Sequence, residues 1–363
     1  MNEIILVDYI GICDENGTVV GHSVKAFTEY VELLKGKYEV SGMFPQCMAD
    51  AIDKKEIKKY DILKYNIIST ENYSIIRRIG DKFKELANIH QVFQMVQGKN
   101  NVVLWFYRLD FFLFLYLFFM RKFSGKVLCL LFQQDFAIGK FGRILNYIYK
   151  KALKDKVDGV LYTSPHFEIN HRKKCYIPDY CYDKNKYGKY LSGSREDKVV
   201  CLGTMGYQKN LEELVEIFNR LKYPLEIAGR FYQSKRFEQL KKAAGKNISV
   251  RNEIIPEDEY YLKIASAKYV VLPYDMQLYK DRTSGVLLES IFLGTVPIAP
   301  ENILKSNFIP GIGYENMREL DIDDWQKKYE TICKEMKQLV ERKYDKNGIR
   351  EKLCSFITEV CRI

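Results

Sequence analysis

Short apolar, β-branched runs alternate along the chain with longer stretches in which apolar residues recur every three or four positions. That alternation is the signature of βαβ units around a parallel sheet. In the first half, EIILVDY (3–9), YEVSGM (38–43), NVVLWFY (101–107), KVLCLLF (126–132) and GVLYTS (159–164) predict strands, with helical stretches from His22 and over 72–97 between them. The second half repeats the grammar with KVVCLGT (198–204), PLEIAGR (224–230), NISVRNEI (247–254), YVVLPY (269–274) and VPIAP (296–300). Amphipathic segments such as LEELVEIFNRLK and GVLLESIFLG separate those runs. The fold class expected is α/β, with two Rossmann-like, doubly wound parallel-sheet domains and C-terminal helices. Right-handed crossovers then bring the C-terminal ends of the strands to the ligand-binding edge of each sheet.

The stretch 181–197, CYDKNKYGKYLSGSRED, is polar and lacks apolar periodicity, so it reads as a linker. The domains expected are an N-terminal acceptor domain over 1–190 and a C-terminal donor domain over 196–340. A C-terminal helix over 341–363 is free to pack back on the N-terminal domain. A length of 363 residues agrees with two cores rather than one.

Composition removes several classes of protein. With 47% hydrophobic and 29% charged residues the chain has enough apolar surface to fold, which excludes a disordered protein. Its nine cysteines are scattered and form no C-x-x-C pair, so neither a disulfide framework nor a zinc site is expected. Met1-Asn2-Glu3 leads straight into an apolar strand without a basic, cleavable leader, and a cytoplasmic protein is expected. The run FFLFLYLFFM (111–120) is half the length a membrane span needs. It predicts a core helix between two strands, with docking on a bilayer surface as the alternative. The net charge of +10 concentrates in Lys140, Arg143, Lys150, Lys151, Lys154 and Lys156, followed by Arg172, Lys173 and Lys174. Such a basic face attracts anionic lipid or phosphorylated substrates. No nucleic-acid module accompanies it, and no nucleic-acid partner is expected.

The stretch 279–300, YKDRTSGVLLESIFLGTVPIAP, carries the strongest chemical signal. It follows a predicted strand and opens a helix that Thr283 or Ser284 can cap. The amides of Ser284, Gly285 and Val286 then point outward at the positive end of the helix dipole, which is an anion site. Gly285, lacking a Cβ, lets a diphosphate approach the backbone. Glu289, one turn on, can accept hydrogen bonds from a ribose diol.

This segment resembles the donor-binding signature of retaining GT-B glycosyltransferases, especially the large family 4. Glu289, Gly294 and Pro297 match the glutamate and the Gly-x-Pro strand of that signature. The likeness runs over about 198–300 and only weakly over the N-terminal half. LGTMGYQKN (202–210) resembles the first strand, loop and helix of the donor domain, placing Gly203 and Thr204 in the donor loop and implying that Lys209 neutralises the diphosphate. LEIAGR (225–230) resembles the second strand, and KCYIPDYCYD (174–183) the strand and turn before the interdomain linker.

The departures from the family are chemical. Thr204 stands where an arginine usually joins the lysine, leaving Arg230 or Arg282 as substitutes. Asp281 replaces the first glutamate of the paired-acid motif, in contact with the donor sugar. Gln133-Gln134-Asp135 replaces the histidine near the transferred sugar, which makes Asp135 the catalytic candidate there. Gly21 and His22 fall near the loop that meets donor phosphate and acceptor, whereas His90, His166 and His171 read as structural.

The resemblance implies two domains facing a cleft and transfer of a glycosyl group from a nucleoside diphosphate sugar to a hydroxyl, with retention. Neither a metal nor a cofactor beyond the donor substrate is expected, because cationic side chains and helix dipoles do the metal's work. The preferred acceptor is a saccharide or polyprenyl-linked saccharide in cell-surface polysaccharide synthesis. Tyr147, Tyr149 and the 111–120 run favour contact with the inner membrane surface. Two other readings stay open: a nucleotide-sugar epimerase of the same fold, and a non-catalytic scaffold for another glycosyltransferase.

Overall fold

The computed structural model describes residues 3–19, 23–53, 55, 57, 59–68, 74–120, 123–132, 142–191, 193–276, 279 and 284–362. By internal contacts the chain divides into two units, 1–179 with 347–363, and 180–346.

The first unit contains strands β1 (Glu3–Val7), β2 (Ile12–Cys13), β3 (Glu39–Pro45), β4 (Tyr60–Leu63), β5 (Ile67–Ile68), β6 (Val102–Phe106), β7 (Lys126–Leu131), β8 (Gly159–Tyr162) and β9 (Lys174–Tyr176). Its helices are α1 (Ser23–Leu34), α2 (Gln46–Ala51), α3 (Ile75–Met95), α4 (Phe111–Phe119) and α5 (Gly142–Lys156). Seven of the strands form a wholly parallel sheet in the order β4-β3-β1-β6-β7-β8-β9. β6 is buried along its whole length, as a strand covered on both faces by helices must be. The chain's last helix returns to this unit: the Tyr38 hydroxyl donates to the Cys354 carbonyl at 3.0 Å and Arg350 to that of Glu32 at 2.8 Å.

The second unit holds α6 (Lys184–Tyr187), β10 (Glu196–Leu202), α7 (Leu211–Leu221), β11 (Leu225–Gly229), α8 (Ser234–Ala243), β12 (Ile248–Asn252) and α9 (Glu257–Ser266). β13 (Ala267–Val271), α10 (Gly285–Phe292), β14 (Val296–Pro300), α11 (Glu301–Asn307), β15 (Ile312–Tyr314) and α12 (Ile322–Leu339) follow. α13 (Lys346–Cys361) is the returning helix. Its sheet is also parallel, in the order β12-β11-β10-β13-β14-β15. The second strand of this unit lies on one side of the first and the fourth on the other. Strand order therefore reverses between β10 and β13, the switch point at which folds of this kind bind ligands in a crevice beyond the carboxyl ends of the strands. The α/β architecture with two parallel sheets is the one the sequence predicts.

Three details differ from the expectation. The stretch 181–197 is packed: Tyr187 is fully buried, stacks on Tyr182 at 6.0 Å and meets Phe292 and Tyr261 edge-on or tilted. Tyrosines supply its apolar contacts, and a polar sequence hides them. The short edge strands β4 and β15 lack the long apolar run that marks a central strand, whereas β9 falls where the resemblance placed a strand at the start of 174–183. The α4 run does sit between two strands, yet only Leu113, Phe114 and Leu117 are buried, and Phe119 lies open. Among the described residues no helix is long and apolar enough to cross a membrane.

The crossing of β10 and β11 at their C-terminal ends depends on one glycine. Gly229 has φ +149°, and a Cβ there would lie 1.8 Å from the Gly203 carbonyl oxygen. Gly229→Ala is expected to cost about 3 kcal/mol or more through backbone strain and overlap. Thermal unfolding checks this against Gly188→Ala, whose Cβ meets nothing closer than 4.0 Å and which should leave the midpoint unchanged.

Candidate functional site

Two loops meet at the switch point of the second unit. One follows β10 and runs from Gly203 to Asn210, and the other follows β13 and leads to α10. They are tied by backbone hydrogen bonds from Asn210 to the Pro273 carbonyl at 2.7 Å and from Asp275 to that of Gln208 at 2.9 Å, with a bridge between Lys209 and Tyr274. Arg236 braces the first loop from α8. Its Nη1 donates to the Gly206 carbonyl at 2.8 Å and its Nη2 to that of Lys209 at 2.7 Å, while Nε and the same Nη2 hold Glu212, each at 2.6 Å.

Lys209 is 3% exposed. Its ammonium donates to the Leu202 carbonyl at 2.9 Å and lies 3.9 Å from the Met205 sulfur, and among the described residues no carboxylate pairs with it. Burial pushes its pKa below the ordinary lysine value, the thiol of Cys201 opposing this in part. A buried cation without a counter-charge is costly, which makes the pocket around Lys209 complementary to an anion. Gly203 (φ +97°) keeps the approach open. A Cβ there would stand 3.9 Å from Val286 Cγ2 and 4.0 Å from Lys209 Nζ, so the first turn of α10 and the lysine flank the same glycine.

Helix α10 begins at a well-formed cap. The Ser284 hydroxyl accepts from the Leu287 amide at 3.2 Å and shares a 2.8 Å hydrogen bond with the Tyr274 hydroxyl, whose ring stacks on Tyr279 at 3.7 Å. Ser284 is buried, whereas Gly285 and Val286 are half-buried and their amides have no acceptor among the described residues. Those two amides and the helix dipole are what an anion would meet. The reason for Gly285 needs correction. A Cβ there would come within 2.6 Å of the Tyr180 ring, so the absent side chain makes room for a tyrosine of the same unit rather than for a ligand alone.

Glu289 is a buried carboxylate, 4% exposed, and not a helix-surface one. Tyr260 donates to its Oε2 at 2.8 Å and the Tyr261 hydroxyl reaches Oε1 at 3.5 Å. Burial first, then the charge of Glu289, push the Tyr260 hydroxyl far above the ordinary tyrosine range, so it stays a donor. Tyr260→Phe should leave the fold intact and weaken nucleoside diphosphate binding about tenfold, the worth of one hydrogen bond to a charged group. Calorimetric titration of both proteins reads it.

Of the residues singled out from sequence, Gly203, Lys209, Ser284, Gly285 and Val286 gather around this crevice. Thr204 is exposed beside Gly203. Arg230 is exposed at the end of β11, with its guanidinium 5.8 Å over the Tyr232 ring. Asp135, Asp281, Arg282, Gly21 and His22 lie outside the described residues. Sequence reasoning missed Tyr180, Tyr260, Tyr274 and Arg236: Tyr274 acts on Ser284 ten residues on and the other three on partners further away in the chain, and no local spacing marks any of them.

The switch point of the first unit, between β1 and β6, holds a second polar group that the sequence did not announce. Asp8 is wholly buried; its Oδ1 accepts from the amides of Ile10 at 3.1 Å and Gly11 at 3.0 Å, and its Oδ2 lies 3.7 Å from Arg108. Arg108 also donates to the Ser23 hydroxyl at the start of α1. Beside them Lys82 bridges Glu85 and Asp110, each at 2.7 Å, and Tyr9 donates to Asp110 at 3.0 Å. Burial and the neighbouring Asp110 push Glu85 up to about 8. Burial acts on Asp110 too, but hydrogen bonds from Glu85, Lys82 and Tyr9 outweigh it and keep Asp110 low.

No family model matches the chain, and no curated protein is similar to it. Solved structures are similar over its full length. A glycosyltransferase of avilamycin A biosynthesis, AviGT4, shares 12% identity over 99% of this chain and 98% of its own, with a TM-score of 0.63. The trehalose-6-phosphate synthase OtsA shares 10% over 99% of each chain, with a TM-score of 0.68. An α,α-trehalose-phosphate synthase (UDP-forming) from Burkholderia xenovorans, in complex with glucose-6-phosphate, shares 11% over 99% of this chain and 100% of its own, with a TM-score of 0.64. At such identities the likeness is one of fold, and the fold is that of the GT-B glycosyltransferases.

Proposed function

We propose that the protein is a retaining glycosyltransferase that moves a sugar from a nucleoside diphosphate sugar to a hydroxyl of a saccharide or lipid-linked saccharide. Lys209 supports this reading most strongly. A buried ammonium with no carboxylate partner among the described residues, beside an open glycine and a helix start at a sheet switch point, suits the anionic diphosphate of a sugar nucleotide. On this reading Lys209 and the amides of Gly285 and Val286 stabilise the charge that builds on the departing diphosphate, and Glu289 accepts from the ribose diol. The donor diphosphate brings its own negative charge to a preformed positive site. The side chains therefore need not reorganise as the glycosidic bond breaks.

Asp281 and Arg282 are assigned to the donor sugar and diphosphate, Asp135 to the transferred sugar, and Gly21 with His22 to the phosphate and acceptor loop. Catalysis without a metal, action at the cytoplasmic face of a membrane, and a place in cell-surface polysaccharide synthesis complete the proposal. Screening the common nucleotide sugars by ligand-observed NMR, then supplying the bound one with saccharide and polyprenyl-linked acceptors, tests it. Transfer with a retained anomeric configuration is expected. Formation of an epimer from the donor alone would make the protein an epimerase, and no turnover with any donor would leave it a scaffold.

A further inference from the structure

Helix α3 is inverted over its first three turns. Ile75, Ile76, Ile79 and Phe83 are 75%, 83%, 54% and 68% exposed, while Asp81, Glu85 and Asn88 are buried. At about 100° per residue the four apolar side chains fall within an arc of about 100°, roughly opposite the buried polar groups. This orientation is enforced from inside. The Asn88 side chain donates to the carbonyls of Tyr9 at 2.9 Å and Tyr65 at 2.8 Å and accepts from the Tyr65 amide at 3.1 Å. Lys82 pairs with Glu85 and Asp110, and Lys84 holds Asp81 at 2.9 Å. Gly80 leaves the arc open at its edge, with nothing within 4 Å of where a Cβ would stand.

Over 75–85 the helix carries four basic residues, Arg77, Arg78, Lys82 and Lys84, against two acidic ones that face inward. On the same wheel Arg78 and Lys82 border one side of the apolar arc, with Arg77 and Lys84 on the other. Pairing this face with its copy would set those cations against each other, whereas an anionic bilayer takes both the apolar arc and the charge. Helix α4, which packs against α3 and α5, adds open Phe119, and α5 adds exposed Ile144 and Tyr147 among Arg143, Lys150, Lys151 and Lys154. The same sign and the same chemistry recur on that neighbouring surface.

We infer that the first three turns of α3 lie in the headgroup region of an anionic bilayer, with Ile75, Ile76, Ile79 and Phe83 inserted and the net positive charge of this face and of α5 drawn to the anionic headgroups. The inference does not depend on the transfer reaction. It is tested with the full chain by co-sedimentation with phosphatidylcholine vesicles containing half phosphatidylglycerol, and with vesicles of phosphatidylcholine alone. The wild type should bind the anionic vesicles, and less at high salt. Ile76→Ser with Phe83→Ser should lower partitioning at least tenfold, at an unchanged melting temperature and unchanged nucleoside diphosphate affinity. Ile75→Ser with Ile79→Ser provides a second variant should the first not fold, and Ile254→Ser, an exposed isoleucine of the other unit, should bind as the wild type does. No binding by the wild type, equal binding by folded variants, or a wild-type dimer that the substitutions dissociate would overturn it.

Discussion

Lys209→Met should lower turnover by about a hundredfold or more while leaving the protein at least as resistant to heat as its parent. The two effects have one cause. Lys209 is buried, where its charge is costly, and methionine fills a similar length without that cost. The effect on stability carries a pH signature. Because the folded pKa lies below the unfolded one, the unfolded chain binds more protons in the alkaline range beneath the ordinary lysine value, so wild-type stability gains from rising pH there. The methionine variant lacks that gain. Its advantage over the wild type should be greatest near neutral pH and shrink as pH climbs. Thermal unfolding across pH, with kcat at saturating donor, measures both. A large fall in melting temperature together with lost activity would mark the lysine as structural.

Glu289→Ala should weaken nucleoside diphosphate binding about a hundredfold, the worth of two charge-assisted hydrogen bonds to a ribose diol. A change in selectivity separates this from general damage. The wild type should prefer a ribose nucleotide over its 2′-deoxy form at least tenfold, and the variant should bind the two alike. Glu289→Gln keeps the shape and should retain part of the preference. Because Tyr260 holds Oε2, the Tyr260→Phe and Glu289→Ala effects should be less than additive.

The central strands were legible because a strand covered on both faces must be apolar throughout, as β6 and β14 are. Edge strands such as β15 have less to bury and leave less trace. Tyrosine made 181–197 look like solvent-facing chain, since a residue with a polar tip can still fill a core, as Tyr187 does. In α3 the usual rule is reversed, and amphipathic period alone does not say which face points inward.

At the site, Ser284, Gly285 and Val286 could be named because they open a helix, where backbone geometry limits the residue, whereas Gly203 and Lys209 are named through the family resemblance and Glu289 through both. Their supports could be named through neither. Tyr260 and Glu289 are 29 residues apart, and Arg236 reaches across from a different helix to the Gly206–Lys209 loop. Asp8 and Arg108, a hundred residues apart, meet only because β1 and β6 are neighbours in the sheet.

Isothermal titration of UDP, GDP, ADP and dTDP into the wild type and Lys209→Met is the most direct test of the diphosphate site. At least one of the four should bind the wild type, and its affinity should fall tenfold or more in the folded variant. Equal affinity for the two proteins, or no binding of any of the four to the wild type, would contradict the assignment of Lys209 as the diphosphate's counter-charge.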